Sequence, residues 1–98
     1  MPYQIAYLPV VAREDLPKLN ADIRKRIQRA IEQRLTTEPH YYGEPLRHQL
    51  KGFWKLRVGD YRVIYRIEGR ISWIIAIGHR KTVYVLVLRP QRLLWRPS

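Results

Sequence analysis

Between residues 23 and 35, apolar positions recur every three or four residues: Ile23, Ile27, Ala30, Ile31 and Leu35. This spacing predicts an amphipathic helix with one core-facing stripe. Asn20 is placed to cap its first turn, and its polar face carries Arg24, Lys25, Arg26, Gln28, Arg29 and Arg34. From Phe53 onward the period falls to two. Trp54, Leu56 and Val58 alternate with Lys55 and Arg57 before Gly59 and Asp60 interrupt. Tyr61, Val63, Tyr65 and Ile67 then alternate with Arg62, Ile64 and Arg66. Residues 68–70 make a second turn, and Ile71, Trp73, Ile75 and Ile77 continue the alternation. This pattern predicts an antiparallel meander of three strands joined by hairpins. Residues 3–8 read as a first strand ended by Pro9, and residues 10–18 as a short helix limited by Pro17. Residues 36–37 stop the main helix and residues 40–45 are expected to be loop. The fold class expected is α+β: an N-terminal strand, a helical hairpin, then a compact antiparallel β-meander. A chain of 98 residues has room for one core, hence one domain over residues 1–98.

The hairpin register decides where the charges go. With Gly59 and Asp60 as a two-residue turn, Val58 faces Tyr61, Leu56 faces Val63 and Trp54 faces Tyr65. These six form an apolar face for the helix to cover. On the other face Arg57 meets Arg62, and Lys55 meets Ile64. The second hairpin is expected to pair Ile67 with Ile71, Tyr65 with Trp73, Val63 with Ile75 and Tyr61 with Ile77. That register puts Ala76 beside Arg62 and carries Arg80 onto the charged face. A slip of one residue would bury the charges, so register is strongly specified. Like charges directly opposite in a sheet are destabilising, by up to about 1 kcal/mol per pair. Either an anion belongs between Arg57 and Arg62, or a carboxylate such as Asp60 or Glu68 pairs with one of them.

Composition sharpens the picture. Lys+Arg is 19 against 8 Asp+Glu, a formal net charge of +11. Residues 1–49 hold 8 basic and 6 acidic residues, whereas residues 50–98 hold 11 and 2. So basic a folded module favours polyanionic partners. There is no cysteine, which excludes a disulfide scaffold, Cys-ligated zinc and a thiol nucleophile. The three histidines, at 40, 48 and 79, lack metal-ligand spacing, and no cofactor is expected. The glycines form no phosphate-binding or dinucleotide loop, and the serines, Ser72 and Ser98, sit in no nucleophile elbow. The longest apolar run, residues 71–77, is far shorter than the roughly 20 residues of a membrane span. The N-terminus lacks the features of a secretory signal, so a cytoplasmic location with no membrane partner is expected.

The segment GHRKTVY, residues 78–84, follows the apolar run and delivers its polar groups to the end of the sheet. His79 is either a titrating group or a turn residue bonded to backbone. Tyr84 either presents its phenol to a ligand or packs in the core. Together with LKGFWKLRVGDYRVIYRI, this segment resembles toxins of the RelE/ParE superfamily of toxin–antitoxin modules. Its discriminating words are Leu50-Lys51-Gly52, Trp54-Lys55-Leu56-Arg57, Gly59-Asp60-Tyr61-Arg62 and Gly78-His79-Arg80-Lys81.

The resemblance implies one of two activities. RelE-like members are ribosome-dependent endoribonucleases that cut messenger RNA. ParE-like members share the fold, inhibit DNA gyrase and generally lack the basic cluster. Lys55, Arg57, Arg62, Arg80 and Tyr84 match the RelE-like catalytic pattern, which favours the nuclease branch. Lys51, His79, Lys81, Arg24, Lys25 and Arg29 are the expected RNA contacts. The implied reaction is attack of a 2′-hydroxyl on the adjacent phosphodiester, which requires neither metal nor protein nucleophile. The implied partners are the ribosome, messenger RNA and an acidic, partly disordered antitoxin of the RelB type. A binding module that has lost activity and only engages an antitoxin is the third reading. The C-terminal run VLVLRPQRLLWRPS departs from the helix expected after Tyr84, because Pro90 bars a long continuous one. Residues 85–98 are left as a C-terminal arm: a strand, an irregular segment or a displaceable helix. Leu93, Leu94 and Trp95 in it are placed either on the domain or on a partner.

Overall fold

In the computed structural model the described residues are 2–97; Met1 and Ser98 lie outside them. Strand β1 (Gln4–Tyr7) leads into a π-helical turn, Val11–Asp15, and a 3-10 turn, Leu16–Lys18, that opens with Pro17 near its start. Helix α1 (Ala21–Ala30) starts at Asn20, whose side-chain oxygen accepts from the Ile23 N–H at 3.0 Å. A π-helical stretch, Ile31–Leu35, continues it. Ile27, Ile31 and Leu35 are completely buried, so the apolar stripe is the core stripe.

Residues 40–45 are not loop throughout. Pro39 opens a one-turn helix, α2 (Pro39–Tyr42), and β2 (Glu44–Pro45) pairs with the next strand. Pro at a first helical position costs no hydrogen bond, which is why the turn forms there. Strands β3 (Trp54–Val58), β4 (Tyr61–Glu68) and β5 (Ile71–His79) make the expected meander. The sheet has five strands, in the order β1-β5-β4-β3-β2, with β1 parallel to β5.

The first hairpin has the register read from the sequence: Val58 opposite Tyr61, Leu56 opposite Val63, Trp54 opposite Tyr65 and Arg57 opposite Arg62. Gly59 holds φ +60° in the first central position, as a tight hairpin demands. The second hairpin corrects the expectation. Gly69, also at φ +60°, makes a two-residue turn with Arg70, so Glu68 rather than Ile67 pairs with Ile71. Tyr65 meets Ile74 instead of Trp73, and Trp73 meets Arg66 on the opposite face. A bulge at Ile75 then inserts one residue, after which Ile64 faces Ala76, Val63 faces Ile77, Arg62 faces Gly78 and Tyr61 faces His79. The parity predicted for the end of β5 is restored, displaced by two residues.

The face carrying Leu56, Val63, Tyr65 and Ile77 packs against α1 and α2. Ser72 donates to the Leu35 carbonyl at 2.9 Å and Tyr65 to the Pro39 carbonyl at 2.6 Å. The other face carries Arg57 and Arg62 toward the Gly59 turn and Arg66 with Glu68 toward the opposite end. Along the rest of it Phe53, Ile64 and Ala76 are buried, because the C-terminal segment lies over β4 and β5. That segment forms α3 (Val83–Val87), breaks before Pro90 and resumes as α4 (Pro90–Leu93). Val83 and Val87 are fully buried, and Trp95 sits on Trp73 with ring centroids 4.5 Å apart. The arm is therefore helical and docked, Trp95 on the domain and Leu94 exposed.

Candidate nucleic-acid-cleaving site

Three arginines converge on the turn between β3 and β4. Arg57 and Arg62 are cross-strand partners in the last rungs before it, and β5 delivers Arg80 immediately after His79. The Arg80 N–H donates to the Asp60 carbonyl at 2.8 Å, which ties the end of β5 to the turn. The Arg62 guanidinium folds over the same turn, its Nη1 donating to the carbonyls of Gly59 at 3.0 Å and Tyr61 at 2.8 Å. Lys55 lies two residues from Arg57 on the same face, opposite Ile64. Gly78 completes the floor beside Arg62. A Cβ there would sit 3.4 Å from Val83 Cβ, so glycine lets α3 approach the strand closely. Tyr84, half-buried in the first turn of α3, follows Val83 directly.

Two carboxylates attend this cluster. Glu44, cross-strand from Lys55, reaches Arg57 Nε at 3.3 Å, and Asp60 reaches Arg80 Nε at 3.7 Å. Sequence reasoning anticipated Asp60 beside the basic face and missed Glu44, because β2 was read as loop. Arg57 and Glu44 are 60% and 56% exposed, so the pair contributes at most about 1 kcal/mol.

The expected RNA contacts separate into groups. Lys81 is exposed beside Arg80 at the turn. His79 pairs with Tyr61 on the α1 side of the sheet, its Nδ1 accepting from the Lys81 N–H at 3.2 Å and its ring edge-on to Tyr61 at 5.6 Å. Lys51 is exposed just before β3, at the end of the hairpin away from Gly59. Arg24, Lys25 and Arg29 all lie on α1, with Arg24 half-buried and the other two exposed. Among the described residues no group of three His, Asp or Glu side chains is arranged to hold a metal ion. No helix among them is long and apolar enough to cross a membrane.

A small α+β chain with arginines gathered at one end of a mixed five-stranded sheet has counterparts among known proteins. Residues 8–84 match the family model of the ParE toxin of the type II toxin–antitoxin system parDE. The chain belongs to this RelE/ParE family of type II toxins. It is 34% identical over 86 residues to the toxin RelG of Mycobacterium tuberculosis, a match covering 86% of this chain and 98% of RelG. It is 37% identical over 86 residues to the toxin RelE of the same organism, covering 85% and 87% of the two chains. The fold superposes with a TM-score of 0.75 on a chain of the toxin–antitoxin complex RelBE2 from M. tuberculosis, at 34% identity over 82% of this chain and 93% of that one.

Proposed function

We propose that this toxin is a ribosome-dependent messenger-RNA endoribonuclease. The observation that carries the reading is Arg57 directly opposite Arg62, with Arg80 drawn to the same turn. Repulsion between facing arginines opposes folding and the exposed Glu44 and Asp60 offset it only weakly, whereas a phosphorane gains three guanidinium partners. In the reaction the 2′-oxygen forms a bond to phosphorus as the bond from phosphorus to the 5′-oxygen breaks. The 2′-proton passes to a base, the 5′-oxygen takes up a proton, and a 2′,3′-cyclic phosphate and a 5′-hydroxyl remain. Arg57, Arg62 and Arg80 stabilise the charge on the phosphorane oxygens. Lys55, on the same face as Arg57, and Tyr84, in the first turn of α3, serve in this reading as proton-transfer groups at the two ends or, for Tyr84, as a stacking platform for a base.

The partner of this reading is an acidic antitoxin of the RelB type, and the superposed RelBE2 structure is itself a toxin–antitoxin complex. Its carboxylates meet a chain of net charge +11, and a cavity of about 420 Å³, where Leu19, Ile77, Val85 and Leu86 stand beside Lys18, His79 and Arg89, offers it an anchor of mixed character. The test of function is primer extension on messenger RNA from briefly induced cells, beside the Arg57→Ala, Arg80→Ala variant. Codon-phased cuts that vanish in the variant and under translation block are expected. The match to the ParE model favours a second reading, gyrase inhibition. Growth arrest without cuts, with lost supercoiling activity in a gyrase assay, would replace the first reading with it.

A further inference from the structure

The far side of the Gly59–Asp60 turn holds a second concentration of arginine. Arg26, Arg29, Gln33 and Arg34 approach it from α1 and its π-helical continuation, and Arg57, Val58 and Gly59 from the hairpin. Together with Ala30 they line a cavity of about 240 Å³. Arg26, Arg29 and Gln33 recur at the spacing that puts them on one side of the helix, and Arg24, about 200° round from Arg26, falls on another. Arg26 lies directly against the turn: a Cβ at Gly59 would stand 3.0 Å from its Nη1. Glycine is needed there for φ +60°, and the absent Cβ also leaves the guanidinium room against the turn.

None of Arg26, Arg29 or Arg34 forms an ion pair among the described residues, although Asp22 and Glu32 sit on the same helical segment. Arg34 instead lies over the Tyr42 ring, 6.0 Å from its centroid. Like charges one turn apart weaken a helix, so this grouping is not a device for folding.

We propose that this cavity is a phosphate site, holding a backbone phosphate of the RNA strand other than the one cleaved. Arg26 and Arg29 supply paired guanidinium donors, and Gln33 a neutral donor between them. Only Ala30 and Val58 are apolar in the lining, which leaves no pocket for the side-chain anchor a protein segment needs. The inference rests on RNA as the toxin's substrate and adds a second grip on it. A strand held here and at Arg62 bends round the hairpin turn, which fixes its direction across Arg57.

The test uses the purified full chain, an uncleavable 2′-O-methyl RNA oligonucleotide and inorganic phosphate. Gln33→Glu places a carboxylate in the cavity with almost no change of shape, and Arg26→Ala with Arg29→Ala empties it. RNA affinity is expected to fall at least fivefold in each, at unchanged melting temperature. The log–log salt slope should drop by about 0.7, one single-strand phosphate contact. In ¹H–¹⁵N spectra, inorganic phosphate alone should shift the Arg26 and Arg29 Nε signals in the parent and not in Gln33→Glu. Unchanged affinity and slope in both variants would overturn the proposal. So would variants that lose binding to poly-glutamate but keep binding to RNA, an outcome that would assign the cavity to an acidic protein. RNA is not cleaved in this assay, so failure of this site shows as unchanged binding by the variants, whereas failure of the nuclease reading shows separately, as absence of codon-phased cuts by the parent in cells.

Discussion

Asp15 and Arg92, 77 residues apart, form a fully buried bidentate ion pair, with Nη1–Oδ2 at 2.6 Å and Nη2–Oδ1 at 2.9 Å. Its position explains it. β1 leaves the edge of β5 after Tyr7, and the bulge at Ile75 follows directly. The groups so uncovered are taken up by the pair: the Ile77 N–H donates to Asp15 at 2.9 Å and Arg92 donates to the Ile75 carbonyl at 3.1 Å. An ion pair thus closes the polar edge that a strand would otherwise have covered.

Removing one member leaves the other buried and unpaired. Asp15→Ala or Arg92→Ala is expected to lower unfolding free energy by about 3–5 kcal/mol. The double variant should cost clearly less than the sum of the two, measured by urea denaturation in a double-mutant cycle. Additive losses would show that the two side chains act independently.

Arg57 makes the opposite case, being exposed and placed against another arginine. Arg57→Ala is expected to leave stability within about 0.5 kcal/mol of the parent. RNA cleavage on programmed ribosomes should meanwhile fall about 100-fold or more, the scale of losing one charge-stabilising donor. Full cleavage by this variant would remove Arg57 from the site.

Burial raises the Tyr65 phenol well above the ordinary tyrosine value, and it raises Tyr7 with help from Glu32. A group whose folded pKa is raised contributes stability that is whole below its unfolded pKa, near 10, and is lost as pH climbs toward the folded value. Stability should therefore decline above about pH 10. Absorbance at 295 nm should show Tyr65 ionising only as the chain unfolds. Tyr65→Phe is expected to flatten that decline, at the cost of an unpaired Pro39 carbonyl.

Gly43 has an extended backbone, so its need for glycine is one of space alone. A Cβ there would collide with the Tyr65 hydroxyl. Gly43→Ala is expected to destabilise by about 1–3 kcal/mol. Combining it with Tyr65→Phe should recover part of the loss in thermal denaturation. No recovery would mean that the strain falls on the backbone around Lys55.

The helix and first hairpin were legible because each obeys one period without interruption, and Gly59 marks the turn. The second hairpin misled because Ile71, Trp73, Ile75 and Ile77 recur at every second position while Ile74 and Ala76 between them are apolar too, so the run suits either register. A bulge inserts a residue without altering the alternation of residue types, so apolar side chains end on both faces. What made this tolerable is the C-terminal arm, which gives Trp73 an apolar neighbour in Trp95 on the face expected to be charged. The pairing of Arg57 with Arg62 followed from parity in a regular hairpin, whereas Arg80 reached the same end only because the shorter turn and the bulge together displace β5 by two residues and so keep its parity. Glu44, Asp15 and Arg92 were not legible, because their partners are fixed by a two-residue strand and by long-range packing that carry no periodic signal.

The parallel pairing of Gln4 with Ile71, and of Asp15 with Arg92 above it, also sets an order of events. During synthesis the first strand emerges long before either partner exists, and α1 waits with its apolar stripe uncovered. Contacts of such separation close late and slow folding. A nascent chain of this toxin keeps Asp15 without its partner until Arg92 has emerged, so the pair that closes the fold brackets all three site arginines in order of synthesis.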